Sequence, residues 1–253
     1  MKVIFQCILV IFISFNLYSR EKGETEITSE DGIEVFQDEQ YYLLKENVTI
    51  NSDSFYLNAN KVRVNFDKNL YDITELRANG NINFDSPQYE INGSGEILNF
   101  QVKTEKIKIE GIGSKLVTKD IEMLSDGFIE VNNENGNFTL SGFNSKLINE
   151  KLIIRAEYID GTFLDKIDKK EISFLNVVDK KISYVKNNET EMYAKKIVLN
   201  NDSSIIELID NVTIIRDSEK ITGDYATLDT KNNSYKIKSN NKTKVKLLIK
   251  NDE

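Results

Sequence analysis

Two carboxylate pairs stand close enough in this chain to suggest acid–base chemistry, Asp165 with Asp168 and Glu189 with Glu191. Two acids flanking one bond are the equipment of a glycoside hydrolase. Both pairs sit in lysine-rich, hydrophilic stretches, where solvated charge is the better reading. Histidine is absent, which removes the commonest neutral-pH base, the commonest transition-metal ligand and every Ser-His-Asp or Cys-His arrangement. No Gly-x-x-x-x-Gly-Lys-Ser/Thr loop is present to cradle a nucleotide, and Gly93-Ser94-Gly95 and Gly111-Ile112-Gly113 precede no helical pattern, so both read as turns or bulges. The sequence therefore predicts no enzyme, no catalytic residue, no cofactor and no metal. One charged pattern remains: Lys236 and Lys238, then Lys242, Lys244 and Lys246, alternate with other residues and predict an ammonium row on a final strand pair. Such lysines discourage unwanted pairing at an exposed edge; the functional alternative is a basic rim for phosphate or an acidic partner.

The elements that carry these residues are strands. Apolar residues recur at period two, as in Val62/Val64, Ile82/Phe84, Ile107/Ile109, Ile129/Val131, Phe138/Leu140, Ile172/Phe174, Ile182/Tyr184, Ile197/Leu199, Ile206/Leu208 and Val212/Ile214. Successive strand side chains point to opposite faces, so this spacing gives one apolar and one wet face. The breaks hold Asn51-Ser52-Asp53-Ser54, residues 132–137, Asn187-Asn188, 200–204 and 231–234, rich in types that tolerate positive φ and form local turn hydrogen bonds. No window keeps a helical period and no linker divides the chain. With 253 residues, 40% hydrophobic, 29% charged and one proline, the class is all-β.

The strands repeat. Apolar, any residue, then Ala or Gly recurs as Leu57-Asn58-Ala59, Ile91-Asn92-Gly93, Leu140-Ser141-Gly142, Ile154-Arg155-Ala156, Met192-Tyr193-Ala194 and Ile221-Thr222-Gly223. Residues 47–73 match 211–237 without a gap, Asn47-Val48-Thr49-Ile50 recurring as Asn211-Val212-Thr213-Ile214. Weaker copies follow, such as Asn81, Asn92, Asn99 and Phe100 echoing Asn47, Asn58, Asn65 and Phe66. The units are strand pairs with elastic turns, and a repeat of this kind decides the fold.

The amino terminus differs in kind. Met1-Lys2, the apolar run Val3 to Leu17 and the small Ser19 before Arg20 have the layout of a secretory signal peptide over residues 1–19, the run being short for a bilayer span of roughly 20 residues. An uncleaved anchor is the alternative, and the mass of the mature chain separates the two. Cleavage would remove one lysine, no acid and the only cysteine, leaving 32 basic against 41 acidic residues, net −9. Such a chain has no disulfide, and its acidity argues against nucleic acid.

Asp210-Asn211-Val212-Thr213-Ile214-Ile215, a turn, Ile221-Thr222-Gly223-Asp224-Tyr225-Ala226, another turn and Tyr235-Lys236-Ile237 closely resemble the repeat of the OstA/LptA family of periplasmic lipopolysaccharide-transport proteins. Ala78-Asn79-Gly80-Asn81-Ile82 and Glu46-Asn47-Val48-Thr49-Ile50 resemble earlier copies, the second with Glu46 where Gly is usual. The likeness is strongest over 205–249 and poorest from about 111 to 190. It implies an elongated, twisted, open antiparallel β-jelly roll of two sheets over residues 20–253, and a segment of the protein bridge that carries lipopolysaccharide between membranes. The implied partners are an LptC-like inner-membrane protein, an LptD-like outer-membrane translocon and further copies joined head to tail.

Physical chemistry points the same way. Two sheets with apolar inner faces, open along one seam, hold acyl chains while the charged sugar stays in water: each buried methylene gains about 0.8 kcal/mol, whereas a buried unpaired charge costs several. Lining candidates are Val48, Ile50, Val62, Val64, Ile82, Phe84, Ile197, Leu199, Val212 and Ile214, for each of which plain core packing is the competing reading. Three alternatives stay open: an LptC-like anchored component of the same pathway, a β-helical polysaccharide-active enzyme, and an extracellular repeat module.

Overall fold

The computed structural model describes residues 21–70, 72–150, 152–166, 169–232, 234–240 and 244–249; the expected signal peptide, Asp168 and Lys242 lie outside the described residues. The N-terminal strands are β1 (Glu26–Thr28), β2 (Ile33–Phe36), β3 (Tyr41–Asn51), β4 (Tyr56–Phe66), β5 (Ile73–Ser86) and β6 (Ile91–Gln101). Shorter ones follow: β7 (Lys106–Glu110), β8 (Ser114–Thr118), β9 (Ile121–Ser125) and β10 (Phe128–Asn132). The rest are β11 (Asn137–Asn149), β12 (Leu152–Lys166), β13 (Lys169–Asn187), β14 (Thr190–Asn200), β15 (Ile205–Arg216), β16 (Glu219–Asp229), β17 (Ser234–Lys238) and β18 (Lys246–Ile249). All pair antiparallel, as hairpins rather than the parallel coils of a β-helix.

Each long strand folds over near its middle and runs through two facing sheets. The first sheet runs β2-β3-β4-β5-β6-β7-β10-β11-β12-β13-β14-β15-β16-β17. The second runs β1-β3-β4-β5-β6-β8-β9-β11-β12-β13-β14-β15-β16-β18. The result is a ribbon of fourteen folded strands, in which β7 with β8, and β9 with β10, are each one strand broken at the bend.

The repeated Asn marks that bend. Glu46 and Asn47 have φ of 61° and 46°, Gly80 and Asn81 78° and 50°, Asp210 and Asn211 64° and 55°. Two successive left-handed residues reverse the strand and shift the register, as between Lys45 and Val48 and between Ile209 and Val212. For most side chains that conformation costs about 1–2 kcal/mol per residue, which explains the Gly and Asn. The recurrent Ala or Gly lies on the strand paired with the bent one, Ala59 opposite Val48 and Gly223 opposite Val212. There the inner faces converge: a Cβ on Gly223 would stand 2.6 Å from Ile237 Cγ2, and one on Gly93 2.6 Å from Phe84 Cε1.

The core between the sheets is continuous. Leu44, Leu57, Ile82, Leu98, Ile109, Leu116, Met123, Ile129, Leu140, Leu147 and Ile154 are all fully buried, and Ile159, Leu175, Val177 and Val185 carry the core on, so burial runs through the stretch from about 111 to 190 where the sequence likeness is poorest. Phe138 and Phe163 stack at 4.2 Å within that stretch. Bends that leave backbone groups off the ladder are satisfied by buried serines: Ser125 Oγ donates to Ser141 O (2.9 Å), Ser183 Oγ to Lys195 O (3.1 Å) and Ser114 Oγ to Gly111 O (2.8 Å). Gly111 and Gly113, at φ of 122° and 70°, form the bend between β7 and β8, whereas Gly93 and Gly95 lie inside β6 and not in a turn.

The final lysines differ from expectation. β17 and β18 are not a pair with each other; both pair β16, one in each sheet, as halves of one folded edge strand. Lys236 and Lys238 therefore belong to the first sheet and Lys246 to the second, with Lys244 between the strands. The cause is the bend, which the alternation of lysines along the sequence does not reveal.

Candidate lipid slot

With the bends aligned as a closed spine, the hairpin turns form two opposed lips. The second-sheet lip carries the turns at 52–55, 87–90, 119–120, 188–189 and 217–218; the first-sheet lip carries those at 37–40, 102–105, 133–136 and 201–204. Among the described residues no backbone ladder joins the lips. Hydrogen bonds do cross the mouth, from Lys170 N–H to Asp120 Oδ2 (3.4 Å) and from the Tyr235 hydroxyl to Glu219 Oε2 (3.3 Å). Partial burial and the neighbouring Glu219 carboxylate hold the Tyr235 hydroxyl above its ordinary pKa.

Two cavities open along this seam. The N-terminal one, about 170 Å³, is walled by Phe55, Phe84, Ile91, Leu98, Phe100 and Ile107. The C-terminal one, about 400 Å³, has an aliphatic floor of Met192, Ile206, Ile214, Ile221 and Leu228 under a polar mouth that includes Glu189, Arg216, Asp217, Glu219 and Tyr235. Apolar floor and wet rim suit an amphiphile whose chains enter and whose head stays outside.

All ten lining candidates lie on the inner face. Val48, Val62, Val64, Ile82, Ile197 and Val212 are at most 1% exposed and pack between the sheets; Ile50, Phe84, Ile214 and the half-buried Leu199 lie on the same face. Phe84 lines the first cavity and Ile214 the second. Sequence reasoning did not propose Phe55, Phe100, Met192, Ile221 or Leu228 as lining, although Phe100, Met192 and Ile221 stand in its repeat. The signal that finds them is distance from the bend: they are inward residues close to a turn, where the sheets diverge.

Of the two carboxylate pairs, Glu189 and Glu191 lie within the described residues, and the fold gives them separate roles. Glu189 lies in an exposed turn, while Glu191 accepts from the Tyr193 hydroxyl at 2.9 Å and pairs with Lys186 at 3.5 Å. Burial, with help from Glu191, pushes Tyr193 up to about 12. Glu191 is thus a cross-strand anchor on the outer face. Asp229 is held below its ordinary range by the amides of Asn232 and Lys231, as a turn residue.

Residues 26–136 and again 122–234 match the family described as LptA/(LptD N-terminal domain) LPS transport protein. No curated protein matches the chain. Among solved structures, it is similar to LptH, the LptA-homologous periplasmic component of the conserved lipopolysaccharide transport device from Pseudomonas aeruginosa, at 14% identity over 52% of this chain and 95% of that one, with a TM-score of 0.41.

Proposed function

The chain belongs to the LptA/LptD N-terminal domain family of lipopolysaccharide transport proteins, and from that premise we propose that it is a non-enzymatic periplasmic conduit segment whose slot takes lipid A acyl chains. The observation that carries this reading is the open seam over apolar cavities, described above. Similar apolar surface along successive folded strands gives the lipid no deep well, so a push from upstream moves it on.

The test is site-specific photo-crosslinking in living cells. A photoreactive residue at Phe100 or Leu228 is expected to capture lipopolysaccharide, and one at Asn58 or Glu207 on the outer face is not. Equal labelling of both sets, or none at either cavity, would overturn the reading.

The overlap of the two family matches at 122–136 falls on the folded strand β9/β10, so the chain reads as two family-length units sharing that strand. Their internal joint supports head-to-tail docking. In it, β7 pairs β10 in the first sheet and β8 pairs β9 in the second. At the chain's ends, β17/β18 runs in the same sense as β7/β8, and β1/β2 in the same sense as β9/β10. Placing the C-terminal edge of one copy, or of an LptC-like or LptD-like relative, against the N-terminal edge of another would continue both sheets by β-augmentation. The edges also differ in charge, with Glu26, Glu30, Asp31 and Glu34 on one and Lys236, Lys238, Lys244 and Lys246 on the other. Fourteen folded strands at about 4.8 Å spacing give each copy roughly 60 Å of reach. Self-association in sedimentation experiments is expected to weaken as salt rises from 50 to 500 mM, those being experimental settings scaled to a Debye length of roughly 14 Å falling to about 4 Å. Association insensitive both to salt and to Glu at positions 236, 238 and 246 would count against these edges.

A further inference from the structure

The outside of the spine carries a further cavity that the slot does not use. At Glu46-Asn47 and Asp210-Asn211 the bend takes two residues out of the ladder. On β11 the pairing jumps from Ser141 to Ser145, and on β13 from Val178 to Ser183, so loops of three and four residues stand out instead. Each presents a large apolar side chain to water, Phe143 at 68% exposure and Ile182 at 40%. Ile182 therefore does not share an apolar strand face with Tyr184 as its period-two spacing suggests, because the loop takes it off the ladder. The β13 loop is held by Asp179, whose carboxylate accepts from the amides of Glu157 (3.0 Å), Lys181 (2.7 Å) and Ile182 (3.0 Å). Between the loops, with β12 as floor, lies a cavity of about 380 Å³ walled by Phe143, Lys146, Arg155, Asp179, Ile182 and Tyr184.

Its charges break a sheet rule. Lys146 and Arg155 are direct cross-strand partners on the outer face of β11 and β12. Like charges directly opposite destabilise a sheet. Among the described residues neither has a carboxylate ion pair; Arg155 lies over the Tyr184 ring at 5.6 Å. Lys181 stands 6.0 Å from the Phe143 ring, adding to the same sign. In a chain of net charge −8, this basic and aromatic concavity is not a product of composition. Asp179, the carboxylate among the described lining residues, is already engaged by three amides, and the Tyr184 ring offers Arg155 only a distant contact, so the pair stays short of negative charge. A local rule broken in this way marks a functional site, and an arriving anion would relieve it.

We propose that this pocket binds an acidic peptide segment of another protein, one aromatic or branched side chain seated between Phe143, Ile182 and Tyr184 and a flanking carboxylate paired to Lys146 and Arg155. Arg presents a planar fork that matches a carboxylate. The concavity takes a protruding side chain, whereas a flat bilayer would meet only the loop tips.

The test uses the full chain and two fluorescent peptides, one with a single Phe flanked by two Glu on each side, the other with Gln in place of Glu. Anisotropy is expected to show the acidic peptide binding at least tenfold more tightly. Lys146→Glu should erase that preference and at the same time raise the melting temperature, because it turns a like-charged pair into an opposite one. Phe143→Ala, at an exposed loop tip, should weaken binding at least threefold with melting unchanged. Equal affinity for the two peptides would overturn the proposal, as would unchanged binding in both variants. Lys146-dependent binding to phosphatidylglycerol vesicles without peptide binding would assign the patch to a membrane and overturn it equally.

Discussion

Aspartate at Leu208 is expected to unfold the protein, whereas aspartate at Leu228 is expected to leave it folded and to cut lipopolysaccharide capture at least tenfold. The two leucines lie on the inner face of adjacent paired strands, yet at different depths. Leu208 is fully buried in β15, two residues before the bend at Asp210-Asn211 and opposite Ala226 and Ile197, where the sheets are closest. A carboxylate there has no water and no donor. Lost burial, at about 2–5 kcal/mol, and the stranded charge, at several more, together cost on the order of 5–10 kcal/mol, comparable to the roughly 5–15 kcal/mol that holds a domain folded. Leu228 is half-buried, pairs with Tyr235 at the mouth and walls the 400 Å³ cavity, so a carboxylate there can turn to solvent for about 1 kcal/mol. It does, however, place a charge where hydrocarbon would lie; two displaced methylenes at about 0.8 kcal/mol each already amount to a tenfold loss. Thermal melts followed by circular dichroism read the first effect, and crosslinking from Phe100 and Ile214 the second. A Leu228→Asp protein that captures lipid as well as the parent would show that the C-terminal cavity is not part of the path.

That contrast also marks how far the sequence can be read. Strand faces were legible because period two is a local property: Val212 and Ile214 must share a side whatever the rest of the chain does. The recurrence of Asn47 as Asn211 was legible as well, though not that both stand in left-handed backbone at a bend inside the strand. Depth was not. Whether Leu199 or Leu208 meets the opposite sheet depends on how fast the sheets diverge from the spine, and no local spacing records it. The bends at 111–113 and 126–127 were hidden for a different reason. They are made by Gly-Ile-Gly and Asp-Gly instead of the Asn signature, so the repeat fades where the ladder continues unbroken. Lys146 and Arg155 look unremarkable nine residues apart; only the β11–β12 register sets them face to face.

Valine at Gly127 is expected to split the single melting transition in two. Gly127, at the bend between β9 and β10, faces Gly142 of β11 across the spine, and a Cβ there would press into the Ser141 carbonyl, 3.0 Å from its carbon and 3.2 Å from Gly142 Cα. The obstacle is backbone fixed by the β10–β11 and β9–β11 ladders, so it cannot swing aside as a side chain could. In a ribbon where each folded strand touches only its neighbours, stability is a sum of strand terms and interface terms, and weakening one interface uncouples what lies on either side. The outcome is asymmetric. β1 to β10 hold a whole family-length unit, residues 26–136, whereas the second unit, 122–234, begins with the very strand that is pulled away. The half from β11 onward should therefore melt first, about 3 kcal/mol less stable, as core overpacking of this kind costs. Calorimetry would show a lower-temperature shoulder, and proteolysis between the two transitions would release fragments from beyond residue 137. Gly113→Ala supplies the control: no atom lies within 4 Å of its Cβ position, so only the φ of 70° is strained and one transition should persist. A Gly127→Val protein that still melts in a single step would mean that the joint couples the halves more strongly than this clash can overcome.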